Sequence, residues 1–303
     1  MPRWEIAIVW LMSVVLLQPW ARAQIPTATG RTITMSNSAW SLFIPSDYQH
    51  RGSIADLIVH FHGDSATFRN NAKYAKLNAI IVTVNYGGLS SAYQTPFQND
   101  TNLFNTLLNE TLTKVRAESD FPDNLNWDKV AVSSFSAGYA AVRELLKSAT
   151  YYQRMDMILA ADTIYAGFVN YPSDLTLINS QMTDWRRYAA DAKLGSKTFI
   201  VSHSQVDPVT YASTVLTAND LMNHVGITPQ TYNVNGLGTL NFYRRAMTGR
   251  FSVLGALGAD GDSHLEHLRY IGEYLEDLPL AKVPEPGAAV VMLAGALFRR
   301  RSR

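Results

Sequence analysis

The chain has 303 residues, with 26 basic and 25 acidic side chains and a formal net charge of +1. Because the charges nearly balance and no basic run occurs outside the C-terminal end, nothing in the composition indicates binding to nucleic acid. The sequence contains no cysteine, which excludes disulfides, thiolate metal sites and a cysteine nucleophile.

The first residues have the pattern of a secretory signal peptide. Arg3 supplies a positive charge, residues 6–17 are almost wholly apolar, and Ala21-Arg22-Ala23 offers small residues at a cleavage position. The apolar run is shorter than the roughly 20 residues that a membrane-spanning helix needs, which argues against a membrane anchor. We therefore predict that signal peptidase removes residues 1–23 and that the protein is exported.

Three strand patterns follow in the N-terminal third of the chain. Trp40–Pro45 alternates and ends in proline, as expected of an edge strand. Residues 56–61 and 78–84 are almost continuously apolar and are followed by glycine. Such runs are typical of strands that are buried on both faces of a parallel sheet.

Helix and strand patterns then alternate to the end of the domain. We predict helices at 101–118, 139–148, 213–224 and 265–275, and strands at 129–133, 155–161, 198–202 and 251–257. This alternation predicts a single α/β domain at residues 24–282, with a mostly parallel central sheet and helices on both faces. Binding sites in such sheets lie at the carboxyl ends of the strands, where the functional residues are therefore expected.

A candidate nucleophile lies between a predicted strand and a predicted helix. The segment Ser134-Phe135-Ser136-Ala137-Gly138 resembles the G-x-S-x-G nucleophile elbow of the α/β-hydrolases, with Ser134 in place of the first glycine. The resemblance implies an α/β-hydrolase fold with Ser136 as the nucleophile. The alternative is that Ser136 only caps the following helix.

The strand at residues 57–61 and the His62-Gly63-Asp64 that follows resemble the hydrolase strand that ends in His-Gly. By this resemblance, the main-chain amides of Ala137 and of Asp64 or Ser65 are the expected oxyanion donors.

The same segment permits a metal-dependent alternative. His60-x-His62-x-Asp64 has the ligand spacing of metallo-β-lactamase-like hydrolases, and imidazole and carboxylate groups suit zinc. Ser65 stands where that motif usually continues with another histidine, so we favour His60 as a hydrogen-bonded core residue and expect no metal.

The expected base is His264, which follows the last predicted strand and begins the last helix; His267, one helical turn later, is the alternative. Two acids are candidates to orient it. Asp207 follows the penultimate predicted strand and is preferred, whereas Asp162 ends the strand after the nucleophile helix. The acid that is not used is expected to be a helix cap.

The C-terminal end resembles a PEP-CTERM sorting signal. Val283-Pro284-Glu285-Pro286 precedes an apolar stretch at 287–298 and the basic cluster at 299–303. The resemblance implies a short transmembrane helix that inserts transiently in the membrane, with its arginines on the cytoplasmic side. It also implies processing by an exosortase.

These features together predict an exported serine hydrolase that needs no cofactor and cleaves a carboxylic ester through an acyl-enzyme. The expected substrates are acylated polysaccharides and small esters. We expect the protein to be exported by a bacterium with an outer membrane, either to the cell envelope, to the extracellular matrix or as a secreted protein. The alternative is a non-catalytic envelope or matrix protein that retains the fold.

Overall fold

The structure is a computed structural model that describes residues 24–284. The predicted signal peptide and nearly all of the predicted sorting signal, including its membrane segment, lie outside this range. The strands in the described range are β1 Gly30–Thr34, β2 Trp40–Pro45, β3 Ile54–Phe61, β4 Ala79–Val84, β5 Asn126–Phe135, β6 Met157–Ala161, β7 Phe168–Asn170, β8 Asp174–Leu177, β9 Thr198–His203, β10 Gln230–Asn235, β11 Asn241–Thr248 and β12 Phe251–Ala256. The helices there are α1 Ser65–Tyr74, α2 Ser90–Asn99, α3 Leu103–Arg116, α4 Tyr139–Lys147, α5 Ala149–Arg154, α6 Asn179–Lys193, α7 Thr214–Val225, α8 Gly261–Arg269 and α9 Gly272–Leu275.

A ten-stranded sheet with the order β1-β2-β4-β3-β5-β6-β9-β12-β11-β10 forms the centre of the molecule. Its six central strands from β4 to β12 are parallel, whereas the pairs at both ends are antiparallel. Strands β7 and β8 form a separate hairpin after β6. This topology confirms the predicted fold class, a mostly parallel sheet of the α/β-hydrolase type.

Helices cover both faces of the sheet because the central strands are apolar on both sides. In β3, Leu57 and Val59 join the core on one face and Ile58 joins the core on the other. The first core contains buried side chains of α3, α4, α6 and α7, and the second contains side chains of α1 and α9. Burial on both faces leaves the ends of the strands as the places where functional groups can meet solvent.

The prediction that Trp40–Pro45 is an edge strand is wrong, because β1 pairs outside it from Gly30↔Pro45 to Thr34↔Ser41. Strand β1 is mostly exposed and carries polar residues, so it lacks the apolar pattern by which the other strands were recognised. The exposed β10 was missed for the same reason.

The end of the domain is held by hydrogen bonds that its backbone amides donate. The Val283 amide donates to Lys76 O at 2.8 Å, and the Ala281 amide donates to Asp56 Oδ2 at 2.8 Å. These bonds tie residues 281 and 283 to the domain. Between residues 24 and 284, no helix is long and apolar enough to cross a membrane.

Candidate active site

The candidate residues come together at the carboxyl edge of the parallel strands. Ser136 follows β5, Asp162 follows β6 and His62 follows β3, and these three strands are adjacent in the sheet. His264 lies in the first turn of α8, after β12. Parallel strands that end at the same edge thus deliver side chains from distant parts of the sequence to one place.

Ser136 lies at a sharp bend between β5 and α4. It begins a 3-10 turn, Ser136–Gly138, and its φ of 47° is in the left-handed region, which is strained for a serine. A Cβ at Gly138 would lie 2.2 Å from the carbonyl oxygen of Phe61, so only glycine permits this approach. The sequence thus forms the strained strand-to-helix turn that a nucleophile elbow requires.

His264 is paired with Asp162. Its Nδ1 lies 2.7 Å from Asp162 Oδ2, and the acid is fully buried at the end of β6. Since a carboxylate only accepts, Nδ1 of His264 carries the proton and Nε2 is free to accept one. This is the arrangement of a general base oriented by an acid.

The preferred acid of the sequence analysis, Asp207, is not the partner of His264. Asp207 is exposed, and its Oδ1 accepts a hydrogen bond from the Val209 amide at 2.9 Å. Ser204, directly after β9, donates to Asp162, whereas Asp207 lies three residues further along the loop and is exposed. Nor does Asp207 cap α7, because Ser213 is the N-cap of that helix.

Four polar groups hold the carboxylate of Asp162. Besides His264, it accepts from the Ser204 amide at 2.8 Å, from Ser204 Oγ at 2.7 Å and from Thr214 Oγ1. Burial alone raises the pKa of this carboxyl, but the electrostatic interactions with His267 and His264 and the hydrogen bonds from His264 and Thr214 together hold that pKa below its usual range. Asp162 is therefore an anion wherever the fold is intact near neutral pH.

The His264 ring packs against Phe135, the residue that precedes Ser136. The two rings stack with centroids 4.6 Å apart. Within the described part of the chain, Ser136 Oγ and His264 form no direct hydrogen bond. Such bonds are often long without substrate and shorten when the reacting complex forms.

Thr163 is a site residue that the sequence analysis missed. Its Oγ1 donates to the carbonyl oxygen of Ser136 at 2.6 Å and accepts from the Tyr139 amide at 3.1 Å. The buried Thr163 hydroxyl thus connects the residue after Asp162 to both sides of the bend at Ser136. The sequence feature that could have identified Thr163 is its position directly after Asp162, at the end of a predicted strand.

The alternative base, His267, is unsuited to that role. It is fully buried, and its Nδ1 lies 2.8 Å from Ser202 Oγ and 3.0 Å from Tyr274 Oη. Burial lowers the pKa of His267 to about 4 despite the charge of Asp162. It is a neutral core residue below the site.

The metal-ligand alternative is contradicted by where its three side chains point. His60 is buried, hydrogen-bonded to Ser133 at 3.0 Å and stacked on Phe68, as favoured from the sequence. Asp64 caps α1 by accepting from the Thr67 amide at 2.7 Å. Among residues 24–284, no group of three histidine or carboxylate side chains is placed to hold a metal ion.

His62 remains on the catalytic side, where it contacts Tyr93. The Tyr93 hydroxyl lies 2.9 Å from His62 Nδ1, and the two rings meet edge to face with centroids 5.1 Å apart. Burial and the nearby charge of His264 lower the pKa of His62, which keeps it neutral.

The predicted oxyanion segment follows β3, next to the serine bend. The Gly63 amide is already bonded to Asn85 Oδ1 at 3.1 Å, and Ser65 Oγ is bonded to Thr83 Oγ1 at 2.7 Å. The amides of Ala137, Asp64 and Ser65 remain the predicted donors.

No protein-family model and no curated protein matches the chain. Solved structures with a similar fold include a ferulic acid esterase from the anaerobic fungus Anaeromyces mucronatus, with 12% identity, coverage of 84% of this chain and 93% of that chain, and a TM-score of 0.47. They also include a feruloyl esterase module from Clostridium thermocellum, an S954A mutant complexed with sinapinate, with 14% identity, 83% and 88% coverage and a TM-score of 0.45. An uncharacterised protein from Capnocytophaga ochracea has 11% identity, 82% and 64% coverage and a TM-score of 0.48. Values this low carry no argument about activity, which rests on the geometry of the site.

Proposed function

We propose that the protein is a serine hydrolase that cleaves carboxylic esters with Ser136 as nucleophile, His264 as base and Asp162 as acid. The observation that carries the proposal is the hydrogen bond of 2.7 Å between His264 and Asp162, beside a serine held at a φ of 47°. A helix cap alone would need neither the strained serine nor a buried acid–imidazole pair.

The geometry supports a two-step acyl transfer. Ser136 Oγ attacks the ester carbonyl carbon while its proton passes to His264 Nε2, and Asp162 stabilises the resulting imidazolium. The amides of Ala137 and of Asp64 or Ser65 are the proposed donors to the oxyanion. Collapse of the intermediate expels the alcohol, which takes the proton from His264. Water, deprotonated by His264, then attacks the acyl carbonyl carbon, and the bond to Ser136 Oγ breaks as His264 returns the proton to that oxygen and the carboxylic acid leaves.

We propose a small ester or an acylated polysaccharide as the substrate. Exposed apolar side chains on the loops that follow β4, β9 and β12 support an apolar acyl or alcohol group: Leu89, Val209, Tyr211 and Leu257. The loops that carry them follow parallel strands at the same edge of the sheet as Ser136.

Fluorophosphonate labelling of the purified protein tests the proposal. Wild-type protein is expected to be labelled at Ser136, as located by peptide mass spectrometry, and Ser136→Ala and His264→Ala are expected to lose the label. Hydrolysis of p-nitrophenyl acetate is expected to be lost in parallel and to survive chelators. A label that persists in Ser136→Ala refutes the assignment, and an unlabelled folded wild type supports a non-catalytic protein.

We further propose that the protein is exported and sorted to the cell envelope or beyond. The support is the pattern at both ends of the chain, at 1–23 and 283–303. Mass spectrometry of protein isolated from its own bacterium is expected to find an N-terminus at Gln24 and a C-terminus near Pro284–Pro286. Intact ends at Met1 and Arg303 would refute this proposal without affecting the catalytic one.

A further inference from the structure

Arg244 makes an unusual contact across the sheet. It lies on β11, in register with Gly255 on β12, which is in register with His203 on β9. Arg244 Nε donates to His203 Nε2 at 2.9 Å. A Cβ at position 255 would lie 2.6 Å from His203 and 2.7 Å from Arg244, so the glycine leaves the opening through which the two side chains meet.

The contact determines the tautomer of His203. A guanidinium only donates, so His203 Nε2 accepts and Nδ1 carries the proton. That proton is donated to the carbonyl oxygen of Ser204 at 3.0 Å. His203 is fully buried, and burial together with the charge of Arg244 lowers its pKa to about 3, which keeps this tautomer neutral near pH 7.

The bond from His203 anchors the peptide group between Ser204 and Gln205. On its other side, the Gln205 amide donates to Gly258 O at 2.8 Å, in the loop that leads to His264. Ser204 itself donates its amide and its hydroxyl to Asp162. Ser204 and the peptide group that follows it therefore join Asp162 to the loop that leads to His264.

Arg244 has no carboxylate partner among the described residues. Its Nη1 donates to the neutral Asn219 Oδ1 at 2.8 Å, its guanidinium lies 5.6 Å from the centroid of the Tyr243 ring, and its Nη2 is buried without a hydrogen-bond partner. Burial lowers the pKa of this guanidinium, although Tyr243 acts in the opposite direction. Because a partly buried cation without a carboxylate partner costs stability, stability alone does not account for the place of Arg244 beside His203.

We propose that Arg244 is a positioning residue for the reaction, which acts through His203 and Ser204 to hold Asp162 and His264 in register. The antiparallel strand β11 thereby becomes part of the catalytic apparatus. This inference rests on the proposed function, because the groups it positions are the acid and base of that reaction. Arg244 itself does not touch the reacting atoms.

Two substitutions and a matched control test the inference. In the purified full chain, Arg244→Ala and Arg244→Lys are expected to lower kcat for p-nitrophenyl acetate on the order of tenfold, the size typical of outer hydrogen-bond partners. KM is expected to stay within about twofold of wild type, since no substrate contact is lost. The control is Arg245→Ala, because Arg245 is the next residue on β11 and packs on Tyr232 instead. Its kcat is expected to be unchanged.

Chemical rescue separates positioning from structural damage. Added guanidinium ion is expected to restore part of kcat in Arg244→Ala and to have no such effect on Arg245→Ala. Circular dichroism confirms that the variants are folded, and Arg244→Lys decides the question if Arg244→Ala does not fold. Unchanged kcat in a folded Arg244 variant, or a lowered kcat that guanidinium leaves unrestored, would overturn the inference.

A nuclear magnetic resonance readout keeps the two proposals distinguishable. The proton shared by His264 Nδ1 and Asp162 is expected to give a low-field signal, assigned by its loss in His264→Gln. Arg244→Ala is expected to broaden or shift it, and Arg245→Ala is expected to leave it unchanged. Because this signal needs no turnover, it tests the positioning even if Ser136 is not labelled. A signal that is the same in Arg244→Ala and wild type would refute the positioning role alone.

Discussion

Asp162 and Asp207 show how the environment of a single carboxylate determines its use. Both follow parallel strands, but Asp162 is buried among four hydrogen-bond donors whereas Asp207 is exposed. A buried carboxylate with donors on both oxygens keeps one orientation and stays ionised. An exposed one cannot hold an imidazole in a fixed place.

Replacement of the two acids by asparagine tests this distinction. Asp162→Asn is expected to lower kcat by about 10³-fold or more, because the amide can donate to His264 and favours the wrong tautomer. Asp207→Asn, the matched control, is expected to leave kcat within about twofold of wild type. Hydrolysis of p-nitrophenyl acetate measures kcat for both variants. A larger loss of kcat in Asp207→Asn than in Asp162→Asn would support Asp207 as the acid.

Ser134 occupies the position where the elbow pattern has its first glycine. Its side chain is fully buried, and its Oγ has no hydrogen-bond partner among residues 24–284. An unsatisfied buried hydroxyl costs about 1–3 kcal/mol. Ser134→Ala is therefore expected to raise the free energy of unfolding by about 1 kcal/mol and to keep the fluorophosphonate reaction. Urea unfolding measures the change, and a loss of stability would contradict the expectation.

At the level of elements, the bend between β5 and α4 depends on contacts from two neighbouring strands. The end of β3 approaches Gly138 through the Phe61 carbonyl, and Thr163 after β6 bonds to both sides of the bend. Ser136 is thus held in its strained conformation by tertiary contacts.

Thr163→Val tests how far the bend depends on this hydroxyl. It leaves the Tyr139 amide unpaired, so a loss of about 1–3 kcal/mol of stability and a roughly tenfold slower fluorophosphonate reaction are expected. The control is Thr217→Val, since the buried Thr217 Oγ1 makes a similar bond of 2.7 Å to Ile164 O. It is expected to lose similar stability with no change in labelling rate. Equal slowing in both variants would show that the effect is only structural.

For the whole molecule, buried neutral histidines set the response to acid. Burial is the main cause that lowers the pKa of His60 and of His203 to about 3 and that of His267 to about 4, against an ordinary value of 6.5. The unfolded chain therefore binds more protons than the folded one below about pH 6.5. Stability is present above this pH and is lost as the pH falls toward 4.

Each of these histidines is expected to contribute a slope of up to about 1.4 kcal/mol per pH unit between pH 6 and 4. Asp162 adds a loss in the same direction at lower pH, because its folded pKa is depressed. Urea unfolding at several pH values measures the slope. His267→Gln is expected to reduce the slope, with the exposed His224→Gln as control. An unchanged slope in His267→Gln would show that the fold does not lower the pKa of His267.

Local patterns were enough to predict much of this protein. Continuous apolar runs identified the central strands, because burial on both faces demands them, and the small residues around Ser136 identified the bend. His264 was predicted from its place after the last strand. The polar outer strands β1 and β10 were missed because backbone pairing at a sheet edge imposes no apolar pattern.

The carboxylate that pairs with His264, and the groups that hold it, were decided only by the tertiary structure. Asp162 and Asp207 both follow predicted strands, and only the folded chain buries one beside His264 and leaves the other exposed. Thr163 and Arg244 act through hydrogen bonds to residues 27 and 41 positions away, and such bonds depend on strand order and register. Burial and short-range contact select among chemically equal side chains, and both exist only after the strands have assembled.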